Sequence, residues 1–364
     1  MAKTILFMIH GMGDHGAAWE ADVKAKLDEV AARYPNLQGA SLWDSVELIP
    51  LRYDHHLTDA LQQWQASAGP VSAFAEANKL DQAGSLDWLD GVAAEDAGFF
   101  WKSVADVVVY RFLKVYRERI RASVVDQIVT PLMAIPAAER DFGRVVFVAH
   151  SLGTAVLHDA LHLLGTGRFA TWASAFAAPQ ARFRAIFTLA NVSRVLQDDI
   201  KAYESIVRPG PQNKLGSNCS VFYNFRHELD PICAVWRFNP EHFSRSHYHH
   251  RDLTHYRDWN LHGFTHYLDN PRVHVHLINQ VLSRPVITRS QFIDAISHDA
   301  YPQFGGRFAD VPVLQAKLRE IEAIVGGLRE DSDLADLLKA ISRTGNTLGE
   351  IRDIVAGFQT PGGP

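Results

Sequence analysis

Short apolar runs alternate along the chain with stretches in which apolar residues recur every three to five positions, and this alternation predicts strands separated by helices. Thr4-Ile5-Leu6-Phe7-Met8-Ile9 reads as a buried strand, Trp19 to Tyr34 as an amphipathic helix that stops near Pro35, and Ser45 to Leu51 as the next strand. Val104, Val108, Phe112, Val115, Ile120, Val124, Ile128 and Leu132 then predict one long helix before the strand Arg144 to Val148. Thr154 to Leu161 reads as helix, Ile186 to Ala190 and Cys219 to Phe225 as further strands, and Val273, Leu277 and Val281 as one face of a core helix. The pattern is that of an α/β fold, a mostly parallel central sheet with helices on both faces.

Candidate chemistry enters where one strand turns sharply into a helix. Ala149-His150-Ser151-Leu152-Gly153 follows the Arg144–Val148 run and precedes the Thr154 helix. A serine at such a strand–turn–helix junction is forced into a strained conformation with its hydroxyl raised above the sheet, which requires small residues around it. Ser151 is the candidate nucleophile, with Ala149 standing where glycine is usual. The first strand runs directly into His10-Gly11-Met12-Gly13-Asp14-His15-Gly16. Backbone N–H groups from such a loop, with the amide after the nucleophile, can face the oxygen that becomes negative in acyl transfer. Leu152 and Met12 are the expected donors, Gly11 is the alternative, and His10 and His150 are expected to face substrate. Gly11, Gly13 and Gly16 also match the dinucleotide-binding spacing, but the serine junction downstream fits the first reading better.

On these two motifs the chain resembles the α/β-hydrolase superfamily, and within it small bacterial lipases and esterases, over roughly residues 3 to 280. The resemblance implies an α/β-hydrolase fold, with the two antiparallel strands that open larger members missing. It also implies a triad in the chain order serine, acid, histidine. Asp230 stands where a late strand turns, with Pro231 pushing it towards an extended conformation; Glu228, Asp198 and Asp199 are the other acids in range. For the base, the segment Trp259 to Asn270 offers His266, which precedes the Val273 helix, and His262. His266 is favoured, and the choice between the two stays open. The activity implied is hydrolysis of carboxylic esters through an acyl-enzyme; thioesterase, peptidase and acyltransferase chemistry would use the same groups. A non-catalytic interaction protein on the same scaffold is the reading from a different class.

Composition narrows the partners. A net charge of −5 gives no electrostatic reason to expect nucleic acid, and 47% hydrophobic with 21% charged residues is ordinary for a globular chain of 364 residues. No run approaches the length of a membrane span, so the protein is expected to be soluble and not membrane-spanning. Two cysteines, Cys219 and Cys233, and no recognisable signal peptide point to a cytoplasmic setting. No cofactor and no metal are expected: His247, His249, His250 and His255 lack zinc-site spacing and read as a solvated loop. Arg111, Lys114, Arg117, Arg119 and Arg121 likewise read as a solvated helix face.

The catalytic domain is expected over 1–285, with insertions at 54–100, 165–184 and 234–260 whose aromatics are expected first to pack on the core and could also cap a small-molecule ester or acyl substrate. Residues 286–364 read as a helical extension. Its apolar positions include Val313, Leu318, Leu334 and Ile351, and it could pack on the core or serve self-association.

Overall fold

The computed structural model describes residues 2–11, 19–60, 62–63, 106, 110–111, 113–176, 181–196, 202, 204–210, 216–227, 230, 238, 240, 243–254 and 262–297, with isolated positions between 313 and 350. The chain divides into two compact units. The first comprises Met1–Gly11, His15–Arg52 and Arg121–Gln315; the second comprises Met12–Asp14, Tyr53–Ile120 and Ala316–Pro364.

The first unit is an α/β structure built on one sheet of six strands. In chain order these are β1 (Thr4–Ile9), β2 (Val46–Leu51), β3 (Val145–His150), β4 (Phe183–Leu189), β5 (Cys219–His227) and β6 (Tyr248–Leu253). They lie in the order β2-β1-β3-β4-β5-β6, and every neighbouring pair is parallel. A parallel sheet is buried on both faces, which is why β1 and β3 read as continuous apolar runs. Both strands are buried at all six positions.

Side chains alternate across the sheet, so each strand feeds two cores. On one face Leu6, Met8, Val146, Val148, Phe187 and Phe225 join Val23, Leu27 and Val30 of α1 (Trp19–Ala31). Val273, Leu277 and Ile278 complete that core from a helix close to the C-terminal end of the unit. On the other face Phe7 stacks on Phe147 at 5.1 Å, and Phe183 meets Phe147 edge-on at 4.8 Å. The long helix α2 (Lys114–Ala134) buries Ile120, Val124, Ile128 and Leu132, the spacing the sequence predicts. Val104, Val108 and Phe112 lie outside the described residues, and Val115 is exposed.

Two sequence expectations fail here, for physical reasons. Of the five cations read as a solvated face, Lys114 and Arg119 are exposed, but Arg111, Arg117 and Arg121 are buried. Arg121 places Nε at 3.0 Å and Nη2 at 2.7 Å from Asp159 Oδ2, on α3 (Leu152–Gly165). An ion pair inside the fold satisfies charges that periodicity alone assigns to water. Of the histidines read as a solvated loop, His249 and His250 instead lie in the edge strand β6, and His247 falls in the turn before it. Its polar residues have cross-strand partners in register, with Asn224 opposite His250 and Arg226 opposite Asp252. Asn224 Nδ2 lies 3.0 Å from His250 Nδ1, and Arg226 Nη2 lies 2.7 Å from Asp252 Oδ1. At the opposite edge β2 tolerates Pro50, since an outer strand can spare one N–H.

Of the three insertions, 165–184 contributes Phe176, which packs edge-on against Phe142 at 5.2 Å. The third buries Phe238 and Phe243 against Phe222, at 5.7 and 6.3 Å. Trp64, Phe74, Leu86, Trp88, Phe99, Trp236, Trp259, Cys233 and His255 fall outside the described residues, as do most apolar positions of the C-terminal extension. Val313 is helical and 51% exposed, and Lys317 pairs with Glu320 and Glu350. Among the described residues no helix is long and apolar enough to cross a membrane.

Candidate active site

Topology singles out one place on the sheet. From β1 the chain moves outward to β2, then returns to the far side of β1 as β3 and continues through β4, β5 and β6. Connections therefore leave β1 and β3 in opposite directions, and the crevice beyond their carboxyl ends is where open α/β sheets receive ligands. Ile9 is in register with Ala149. His10-Gly11 and His150-Ser151 thus continue side by side past the strand ends.

The two loops touch so closely that only glycine fits at two positions. A Cβ on Gly11 would stand 2.6 Å from Ser151 Cβ and 2.8 Å from His150 Nδ1, and one on Gly153 would stand 2.2 Å from the His10 carbonyl oxygen. Ser151 has φ 52° and ψ −128°, a strained combination for a residue with a side chain, between the end of β3 and the start of α3. Its N–H donates to the Leu189 carbonyl at 2.9 Å, and its own carbonyl accepts from Thr154 N and Thr154 Oγ1 at 2.8 and 2.6 Å. Leu152 opens α3, so its amide belongs to the first turn, whose N–H groups have no preceding carbonyl within the helix. That end also carries the positive pole of the helix dipole and suits a developing negative oxygen.

Ser151 faces His262, not His266. His262 Nε2 is 2.8 Å from Ser151 Oγ, and His262 Nδ1 is 2.8 Å from Asp230 Oδ2. Nδ1 donates to the carboxylate, which leaves Nε2 to accept the serine proton. Asp230 is completely buried, while the His262 side chain keeps 12% of its surface exposed. His266 lies inside the short helix α4 (Phe264–Asp269), buried, with its ring edge-on to His227 at 5.6 Å. The helix boundary is the reason. Gly263 caps α4, so His262 falls in the turn before it, and a second helix, α5 (Pro271–Val281), begins behind Asn270.

His150 and His10 brace this arrangement. His150 Nε2 donates to the His262 carbonyl at 2.6 Å, and its ring stacks on Phe264 at 5.2 Å. His10 Nδ1 donates to the Gly11 carbonyl at 2.8 Å, and its ring stands edge-on to Trp19 at 5.4 Å. Both are buried, so each holds a loop of the site in place. Sequence reasoning missed Tyr267, whose hydroxyl donates to Asp230 Oδ2 at 2.9 Å; no spacing rule marks a tyrosine for that contact. Met12, Glu228, Asp198 and Asp199 lie outside the described residues.

Among the described residues no three histidine, cysteine or acidic side chains are grouped as metal ligands would need to be. The Cys219 thiol is buried, and desolvation pushes its pKa up. No protein-family model, no curated protein and no solved structure matches the chain.

Proposed function

We propose that the protein is a serine hydrolase of the α/β-hydrolase type that cleaves carboxylic esters through an acyl-enzyme. The observation that carries this reading is the unbroken chain from Ser151 Oγ to His262 Nε2 and from His262 Nδ1 to Asp230 Oδ2, both 2.8 Å, with the serine strained at the topological switch point. Ser151, Asp230 and the Leu152 amide keep the roles the sequence suggests, and the base is His262.

Ser151 Oγ bonds to the ester carbonyl carbon as its proton passes to His262 Nε2. The carbonyl π pair moves onto oxygen, facing the Leu152 amide at the start of α3. Collapse of this intermediate breaks the bond to the alcohol oxygen, which takes the proton from His262 Nε2. Water then gives its proton to His262 and attacks the acyl carbon, and Ser151 leaves with the proton restored. Asp230 fixes the tautomer of His262 and stabilises its charged form throughout. The buried thiol of Cys219 fits the same picture of a cytoplasmic enzyme.

A fluorophosphonate probe and a series of p-nitrophenyl esters of increasing acyl length test the proposal. Wild type is expected to be labelled at Ser151 and to turn over one part of the series, with both activities lost in Ser151→Ala. A folded wild type that neither labels nor turns over ester would leave a scaffold without catalysis. Labelling without ester turnover would move the substrate to an amide or thioester.

A further inference from the structure

Asp230 is anchored more elaborately than its partnership with His262 requires. Its Oδ2 meets the Tyr267 hydroxyl at 2.9 Å as well as His262 Nδ1 at 2.8 Å. Tyr267 oxygen in turn accepts the His227 N–H at 3.0 Å, and the Asp230 N–H donates to the His227 carbonyl at 3.1 Å. The peptide N–H fills one side of the phenol oxygen, which turns the hydroxyl hydrogen towards Asp230. Tyr267 and Asp230 are both completely buried, so the hydrogen bond is not diluted by water. Tyr267 also rides on α4, directly behind His262. One short segment therefore carries the base and grips its acid.

Resting on the triad reading above, we infer that Tyr267 is a positioning residue whose hydroxyl locks the Asp230 carboxylate in the orientation that faces His262. A phenylalanine would fill the same apolar volume and stack the same way, so packing alone does not call for the oxygen. The hydroxyl draws charge from the oxygen that His262 also uses. Without it the carboxylate turns more freely, and its full charge holds the His262 proton more tightly. Among the described residues, the titratable groups facing His262 are Asp230, three residues past β5, and His150 at the end of β3, its ring 4.8 Å away. Behind Asp230 lie His227 and His266.

The test is the rate of fluorophosphonate labelling of full-length wild type, Ser151→Ala and Tyr267→Phe between pH 5 and 9, with thermal melts of each. Tyr267→Phe is expected to label about tenfold more slowly at pH 7, the effect of one lost hydrogen bond to a charged group. Its acidic limb is expected to move up by roughly half a pH unit. A variant that labels at the wild-type rate with an unmoved limb, whatever its melting temperature, reduces Tyr267 to a packing residue and overturns the inference while leaving the triad intact. A wild type that does not label at all removes the triad reading and the inference with it. Should Tyr267→Phe not fold, 3-fluorotyrosine at position 267 keeps the shape and strengthens the donor. The limb is then expected to move to lower pH, and an unmoved limb overturns the inference.

Discussion

Asp230 and Asp159 are both completely buried in the sheet unit, yet they live in opposite electrostatic settings. Asp159 meets Arg121, a permanent cation, at 2.7 Å, with His158 Nδ1 farther off at 3.5 Å. Asp230 meets the His262 ring at 2.8 Å and the Tyr267 hydroxyl at 2.9 Å. A carboxylate paired with arginine has one stable state and stiffens the packing of α2 against α3. A carboxylate paired with a histidine whose other nitrogen touches a serine is linked to a proton that can move. Burial alone therefore says nothing of role; the two carboxylates differ in the partner held at hydrogen-bond distance, arginine at 2.7 Å for Asp159 and a histidine ring at 2.8 Å for Asp230.

The sharpest way to break that comparison is to remove each charge without changing shape. Asp230→Asn is expected to slow labelling of Ser151 by about 10⁴-fold, because the amide favours the wrong tautomer of His262. Its melting temperature should change far less than that of Asp159→Asn. Asp159→Asn should do the reverse, removing the buried carboxylate that Arg121 meets at 2.7 Å at a cost of about 3–5 kcal/mol while labelling per folded molecule stays near wild type. Denaturant titration beside labelling kinetics reads both. Equal loss of reactivity in the two variants would show that Asp159 belongs to the site.

Acid sharpens the comparison from another side. His274, on α5, is fully buried, and desolvation holds its pKa down to about 3; His276, on the same helix, is held at about 4 by the same cause. The hydrogen bonds of His274 agree with a neutral ring. Nδ1 donates to the Leu268 carbonyl at 2.9 Å, and Nε2 accepts from Tyr34 at 2.7 Å. Because the folded pKa lies below the unfolded value near 6.5, the neutral ring's contribution is complete above pH 6.5 and is lost as pH falls from there towards 3. By pH 5 His274 alone should cost about 2 kcal/mol. Stability measured by urea at pH 7 and pH 5 checks this, and His274→Gln should flatten the slope. A slope that survives the substitution unchanged would assign acid sensitivity to other groups.

Much of this was legible in the chain. Continuous apolar runs located β1 and β3 because strands buried at every position leave little room for polar residues, and the small residues around Ser151 marked the tight turn. Asp230 was legible through its place after β5. The rest depended on partners that periodicity does not record. The strand β6 reads as polar because its residues bond across to Asn224 and Arg226, and Arg121 reads as exposed because Asp159 lies 38 positions away. Tyr267 is aromatic core by every local rule, and only the turn after β5 gives its hydroxyl a task.

His262 rather than His266 meets Ser151 for a subtler reason, and it carries the smallest predicted effect. His266 and His262 differ by one turn of chain, and the spacing of Val273, Leu277 and Val281 suggests that a single helix starts after both. The chain instead forms α4 first, with Gly263 as its cap, which turns His266 towards His227 and leaves His262 at the mouth of the site. Replacing His266 by Asn should therefore disturb packing and lower the melting temperature while leaving labelling of Ser151 within about threefold of wild type, a change below 1 kcal/mol in the barrier. His262→Asn should abolish labelling with little change in stability, since its side chain is partly exposed. If His266→Asn proved the more damaging to reactivity, the proton would have to reach a ring now held against His227, and α4 would have to unwind to deliver it. That opening would be visible as loss of hydrogen-exchange protection over Phe264–Asp269 during turnover, and its absence would fix the base at position 262.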